Sequence, residues 1–219
     1  MSTDFLEHPL DAASVRVLGA LAEKAATTPD NYPLTLSSLM AACNQTSNRD
    51  PVLELDEPTV LNSVGELRRR SLVSEVYRSD SRARRYRHLL ADSLHLHSAE
   101  IAVLGVLMLR GAQTAGEIRT RTARLHQFED LPRLELTLNA LMTLPQPLLV
   151  QLPRQPGQKE VRYAHLLAGE PQAEAAEQPE PEVSPEPGRV AALEQDVASL
   201  RAELAELRAR LDEFQRQFV

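Results

Sequence analysis

The chain has 219 residues, 42% of them apolar and only 4% aromatic with no Trp, and a formal net charge of −7. That length holds one medium domain or two small ones, with cores built mostly from Leu, Val and Ala, which suits small helical modules. A single Cys excludes an internal disulfide, there is no CxxC or Cys/His cluster for zinc, and no run approaches the ~18 apolar residues of a membrane span.

The N-terminus, MSTDFLEHPL, has no basic segment followed by an apolar one, so a cytoplasmic location is expected. The first helix is expected after Asp11 as N-cap, with Val15, Leu18, Ala22 and Ala25/Ala26 at helical spacing. The next stretch, TTPDNYPLTLSSLMAACNQTSNRDP, packs the one cysteine, Cys43, among polar side chains and has the density of a site. A short helix is expected within it, over Thr35 to Asn44. A third helix starts near Asp56-Glu57-Pro58 and buries Val60, Leu61, Val64 and Leu67. Its solvent side shows Thr59, Asn62, Ser63, Glu66, Arg69 and Arg70. Leu72–Tyr77 and Arg84–Leu89 then alternate as two strands around the turn Arg78–Ala83.

The pattern occurs twice. Val17-Leu18-Gly19-Ala20-Leu21 returns as Val103-Leu104-Gly105-Val106-Leu107, and Arg85-Tyr86-Arg87-His88-Leu89-Leu90 as Arg162-Tyr163-Ala164-His165-Leu166-Leu167. Leu61-Asn62 matches Leu138-Asn139 at the same 77-residue offset as the second pair, so nine extra residues are expected between the first helix and Leu61. The second copy predicts helices near Ser98–Arg110, Ala115–Arg124 and Leu131–Leu144, then strands Leu148–Leu152 and Val161–Leu166 around the turn Pro153–Lys159. Three helices followed by a hairpin is the order of a winged helix-turn-helix. The expected fold is therefore mainly α with small β-hairpins (α+β): tandem winged helices over 9–92 and 93–168.

The Pro-, Glu- and Ala-rich segment 169–188 is expected to be a disordered linker. Beyond it Val190, Leu193, Val197, Leu200, Leu204, Leu207, Leu211, Phe214 and Phe218 keep a 3,4 spacing, which predicts a coiled coil over 189–219 and a homodimer. With Val190 at position a, the pairs Arg189–Glu194, Asp196–Arg201 and Glu203–Arg208 favour parallel pairing.

The negative charge is confined to the tail: residues 168–219 carry 5 basic and 12 acidic side chains, against 11 and 13 in 1–92 and 8 and 6 in 93–167. Val64–Leu90 is locally basic, with eight Arg against Glu66, Glu75 and Asp80. This points to DNA as a partner, with Asn62, Arg69 and Arg70 on the third helix and Arg78, Arg82, Arg84 and Arg85 on the wing as contacts. Glu57 and Glu66 oppose strong phosphate binding. The acidic linker, the zipper and the near-neutral second copy equally fit an adaptor for an unidentified protein partner.

Catalysis has little support. Cys43 follows the apolar run Leu39-Met40-Ala41-Ala42 and is expected to be buried, no glycine-rich phosphate loop is present, and neither cofactor nor metal is implied. His95 and His97, at the junction of the two copies, are expected to be solvated, His126 is given no role, and the repeat-equivalent His88 and His165 are expected to be structural. In the long polar stretch, Asp30, Asn31, Asn44, Asn48, Arg49 and Asp50 are expected to hydrogen-bond one another and lock the turns at its ends, leaving Arg49 the one side chain there to test for a partner.

The segment TTPDNYPLT…AACNQ.SNRDP, with the repeat, resembles an uncharacterised bacterial family typified by YceH, tandem winged-helix proteins catalogued as a domain of unknown function. The likeness covers about residues 9–168 and leaves the linker and coiled coil as an accessory. It implies the fold and no established activity.

Overall fold

The computed structural model describes residues 5–78, 81–154 and 160–171, with the side chains of residues 78, 81 and 82 outside that set. The expected linker beyond Pro171 and the whole expected coiled coil, Val190 to Phe218, also lie outside the described residues.

The chain is mixed α and β, and its two halves repeat one order of elements. In the first half, α1 (Ala12–Thr27) is followed by β1 (Leu34–Thr35), α2 (Leu36–Cys43), α3 (Glu57–Arg69), β2 (Val73–Arg78) and β3 (Ser81–His88). A short helix, α4 (Leu90–Leu94), leads into α5 (Ser98–Arg110), β4 (Gln113–Thr114), α6 (Ala115–Thr122), α7 (Leu131–Met142), β5 (Leu149–Gln151) and β6 (Arg162–His165). Each half has a three-stranded antiparallel sheet, in the orders β1-β3-β2 and β4-β6-β5. The edge strands β1 and β4 escape a pattern-based reading because two residues show no alternation. Pairing reveals them: Leu34 and Thr35 lie opposite Tyr86 and Arg85, as Gln113 and Thr114 lie opposite Tyr163 and Arg162. The threonine ending each strand also caps the next helix: Thr35 Oγ1 accepts from Ser38 N at 3.2 Å, and Thr114 Oγ1 from Glu117 N at 3.2 Å.

The register of the repeat differs from the expected one at the third helix. Asp56 caps α3 and Asp130 caps α7, and Val60, Val64 and Leu67 occupy the buried positions that Leu134, Leu138 and Leu141 occupy in α7. These pairs are 74 apart, not 77, so Leu61 is not the counterpart of Leu138: Leu61 is 41% exposed and Leu138 1%. The offset falls from 86 at Leu18/Leu104 to 79 at Thr35/Thr114 and 74 at Asp56/Asp130, then returns to 77 at Arg85/Arg162. The first half thus carries seven extra residues before β1, five more before α3, and three fewer before the last strand.

The core is continuous through both halves because α1 packs on α5. Asp11 Oδ1 caps α1 by accepting from Ser14 N at 2.6 Å. From Ser14 to Glu23 every residue of α1 is buried, with its own α2 and α3 on one side and α5 on the other, while Ala26 is exposed. A helix buried all round must meet its neighbours closely. At the crossing, a Cβ on Gly19 would stand 2.9 Å from Met108 Cβ, and one on Gly105 would stand 3.7 Å from Ala22 Cβ. Ala22 and Met108 are repeat-equivalent, as are Gly19 and Gly105, so the two copies of the Val-Leu-Gly motif meet in the reciprocal manner of a two-fold interface.

Candidate nucleic-acid interface

The exposed side of α3 is fixed by what the helix buries. Asp56 Oδ1 accepts from Thr59 N at 3.0 Å, Pro58 lies in the first turn, and Val60, Ser63, Val64 and Leu67 face inward. Ser63, expected on the solvent side, is 3% exposed because it completes the i, i+3, i+4, i+7 stripe that Leu61 cannot join. Leu61, Asn62, Arg68 and Arg69 are left on the open face, while Thr59, Glu66 and Arg70 are half-buried. Between them Gly65 has nothing within 4 Å of a notional Cβ, so the face is flat at its centre.

The arginines beside this face are held by two glutamates. Glu66 bonds Arg69 and takes Arg70 Nε at 2.6 Å, and Arg70 reaches on to the His8 carbonyl. Both contacts hold the Glu66 carboxyl below its ordinary range, Arg70 first. Glu75 on β2 has a side chain only 7% exposed and receives Arg68 from α3 at 2.7 Å and Arg84 from β3 at 3.4 Å, with Tyr77 Oη donating to it at 2.6 Å. Glu75 therefore ties the end of α3 to the hairpin and sets two arginines side by side. Four cations against two carboxylates leave a surplus of two.

Of the other expected contacts, Arg85 is half-buried and donates to the Pro33 carbonyl at 2.9 Å, which makes it a brace for β1 rather than an outward arm. The side chains of Arg78 and Arg82 lie outside the described residues. The structure thus brings together Asn62, Arg69 and Arg84 as outward groups, turns Arg70 and Arg85 partly inward, and adds Arg68, which the sequence reading left out of the contact set.

The long polar stretch has a different character. Its polar side chains do not chiefly bond one another, as expected, but fasten the connector to the core. Arg49, with no side-chain exposure, donates to Glu23 at 2.7 and 3.3 Å, to the Ala42 carbonyl at 2.7 and 3.2 Å, to Gln45 Oε1 at 2.9 Å and to the Asn48 carbonyl at 2.9 Å. Arg16, on α1 and 3% exposed, donates to the Cys43 and Pro51 carbonyls at 3.2 and 2.6 Å. Asn44 makes two 2.8 Å bonds to the backbone of Leu55, and the Asn48 side chain accepts from Arg110 at 3.0 Å. Asp50 contributes its backbone N–H, to the Leu109 carbonyl at 2.9 Å, and Pro29-Asp30-Asn31 form one 3₁₀ turn. Arg49 is saturated and enclosed, so it is no docking point. Burial pushes the Cys43 thiol up to about 12, which keeps it a neutral packing group.

His88 and His165 take equivalent places beside β3 and β6, and burial brings each down to about 4; Arg87 adds to the effect at His88 and Asp92 partly offsets it. Neither is a cation available to phosphate at neutral pH. Both folded values lie below the ordinary ~6.5 of an exposed ring. The unfolded chain therefore takes up protons that the native rings refuse, and stability present above pH 6.5 is lost as pH falls towards 4. The free energy of unfolding from urea titrations is expected to drop over that window by about 3 kcal/mol per ring, and His165→Gln should flatten the drop.

Among the described residues no helix is long and apolar enough to cross a membrane, and no cluster of three His, Cys, Asp or Glu is arranged for a metal ion. The family model described as "Protein of unknown function, DUF480" matches residues 10–158. The chain is 48% identical to a UPF0502 protein of Geobacter sulfurreducens over 219 residues, covering 97% of this chain and all of that one. It is 50% identical to a UPF0502 protein of Geotalea daltonii over 97% of this chain and all of that one, and 51% identical to one of Opitutus terrae over 86% and 81%. The first two alignments run well past Ala168, so the tail is shared with these relatives in length and is not an accessory of this chain alone.

Proposed function

The chain belongs to the DUF480 family, and we propose that its halves, 9–92 and 93–168, are two winged helix-turn-helix modules of which the first binds duplex DNA. The observation that carries this is the α3 face: Asn62 and Arg69 stand outward around a flat centre at Gly65, and Glu75 sets Arg68 and Arg84 beside them. In such modules the third helix enters the major groove and the hairpin meets the backbone. Asn62 supplies the two-pronged amide that suits adenine, Arg69 the fork that suits guanine, and Arg68 and Arg84 the phosphate contacts. Arg68 and Arg84 are 49% and 67% exposed, so each can turn a free N–H to a phosphate while staying beside Glu75, whose nearly buried carboxylate also keeps the Tyr77 hydroxyl.

The second module has a less basic face. Along α7 the exposed side shows Arg133 and Asn139 but also Leu131, Glu135 and Leu136, the last 63% exposed, which favours contact with a protein and keeps the adaptor role as the second reading. The role is one of binding, not catalysis. The 3,4 spacing of the sequence from Val190 to Phe218, outside the described residues, supports association of two chains, by which two first modules would meet one duplex with a gain in avidity.

Fluorescence anisotropy on a labelled mixed-sequence duplex across a salt series tests this. Binding by the full chain should weaken steeply with salt, and R68A/R84A should lower affinity at every sequence while reducing the log–log salt slope by about 2. N62A should instead reduce discrimination between duplexes with little change in slope. A wild-type chain that binds no duplex at low salt, or an R68A/R84A chain with an unchanged slope, removes the DNA assignment and leaves the adaptor.

A further inference from the structure

A second concave region lies where the two halves meet. A cleft of about 160 Å³ is bounded by the end of α1, the connector after α2, the last turn of α5, and α6 with the turn that follows it. Four cationic side chains line it: Lys24, Arg110, Arg121 and Arg124, with Ser47 and Asn48 on the connector side.

The charge there is poorly compensated. Glu23, the one acid in the lining, has both carboxylate oxygens engaged by the buried Arg49. Lys24 is 3.6 Å from that same spent carboxylate. Arg121 is 3.4 Å from Glu117, which it shares with Arg162. Arg110 bonds a neutral amide, Asn48 Oδ1, and Arg124 is exposed with no partner among the described residues. Arg110 also feels its neighbours: burial first and then the charge of Arg121 hold it below the usual guanidinium range, with Arg49 adding to this and Asp50 and Glu23 offsetting part of it. Like charges gathered in a concavity focus field on a counter-ion.

We propose that this cleft is a binding site for a small phosphate-bearing anion. Three guanidinium forks and one ammonium, drawn from three separate elements, suit the several oxygens of a phosphate or diphosphate group, with Ser47 and Asn48 as neutral partners. A recess of this size takes a small molecule and not a duplex, whose major groove alone is about 12 Å wide. Because α1, the connector and α6 all contribute, the bound anion clamps the two halves at their junction. It binds the folded chain and not the unfolded one, so it also raises thermal stability. The site is separate from the α3 face, and neither assignment depends on the other.

The test uses the full chain and sodium pyrophosphate at constant ionic strength, by calorimetric titration and thermal unfolding. Wild type should bind and its Tm should rise. R121A/R124A should bind at least tenfold more weakly, and so should R124E, in which the replaced side chain is exposed and the fold undisturbed. R119A is the matched control: Arg119 is on the same helix but donates to the Glu129 carbonyl at 3.1 Å and does not line the cleft. It should behave as wild type, as should R68A/R84A. Absence of binding by wild type in the millimolar range overturns the proposal, and so does equal binding by R121A/R124A and R119A. Loss of duplex binding in R121A/R124A, with pyrophosphate failing to bind wild type, would also overturn it by assigning these arginines to nucleic acid.

Discussion

Arg49→Met is expected to lower the free energy of unfolding by about 3–5 kcal/mol, the range for removing one partner of a buried ion pair. The guanidinium is fully enclosed, and its removal strands more than one group: the Glu23 carboxylate, with a side chain 12% exposed, loses its 2.7 Å partner, and the Ala42 carbonyl loses two donors at the end of α2. A methionine fills most of the volume, so the loss reports on unsatisfied polar groups more than on a cavity. The double variant E23L/R49M separates the two, because removing the carboxylate along with the guanidinium should recover a large part of the loss. Urea unfolding followed by circular dichroism gives both values. A loss below about 1 kcal/mol for Arg49→Met would show that the network is dispensable, and no recovery in the double variant would move the loss from the Glu23 carboxylate to the other oxygens that Arg49 serves. Either way the α3 face should be unaffected in any chain that folds, since Arg49 touches none of its residues.

Why this network was illegible in the sequence is instructive. Arg49 lies among Asn, Asp, Ser and Thr, a composition that fits a solvated turn as well as a site, and its main partner, Glu23, is 26 residues away on α1. Helical periodicity, by contrast, marks Val15, Leu18, Val60, Val64 and Leu67 as core, because burial of a stripe is a local property. The same periodicity misled at one point. Leu61 is apolar and Ser63 polar, yet the stripe defined by Val60, Val64 and Leu67 includes position 63 and not 61, so Ser63 is buried and Leu61 exposed. That exchange also displaced the alignment of the third helices by three residues, since Leu61-Asn62 matched Leu138-Asn139 by type alone. At the candidate interface, the outward arginines could be located to α3 and the hairpin. What could not be seen was that Glu75 gathers Arg68 and Arg84, or that Arg85 turns to Pro33. Those depend on the register of β2 against β3, in which Glu75 lies opposite Tyr86.

The repeated Val-Leu-Gly motif makes the second large effect asymmetric despite its symmetric sequence. Gly19→Ala sets a Cβ 2.9 Å from Met108 Cβ and 3.1 Å from two Leu109 side-chain atoms, closer than carbons approach, and the nearest obstacle is the stiff base of a side chain on a packed helix. The expected loss is about 1–3 kcal/mol, the range for an overpacked core, against a gain of up to ~1 kcal/mol in helix propensity. Gly105→Ala meets Leu125 Cδ2 at 3.6 Å and Ala22 Cβ at 3.7 Å, ordinary contact distances, and should be neutral or slightly stabilising. The difference arises because position 22 holds Ala where its counterpart, position 108, holds Met. Pairing Gly19→Ala with Met108→Ala does not relieve the contact, since the obstructing atom is a Cβ that alanine keeps, whereas Met108→Gly should restore part of the loss. Urea midpoints for these four chains settle whether the two halves are held at the distance the crossing requires. Equal effects at positions 19 and 105 would mean that the crossing is looser at Gly19 than 2.9 Å implies. The cleft lined by Lys24, Arg110, Arg121 and Arg124 is walled by the same two helices, so Gly19→Ala should also weaken pyrophosphate binding while leaving duplex binding at α3 unchanged.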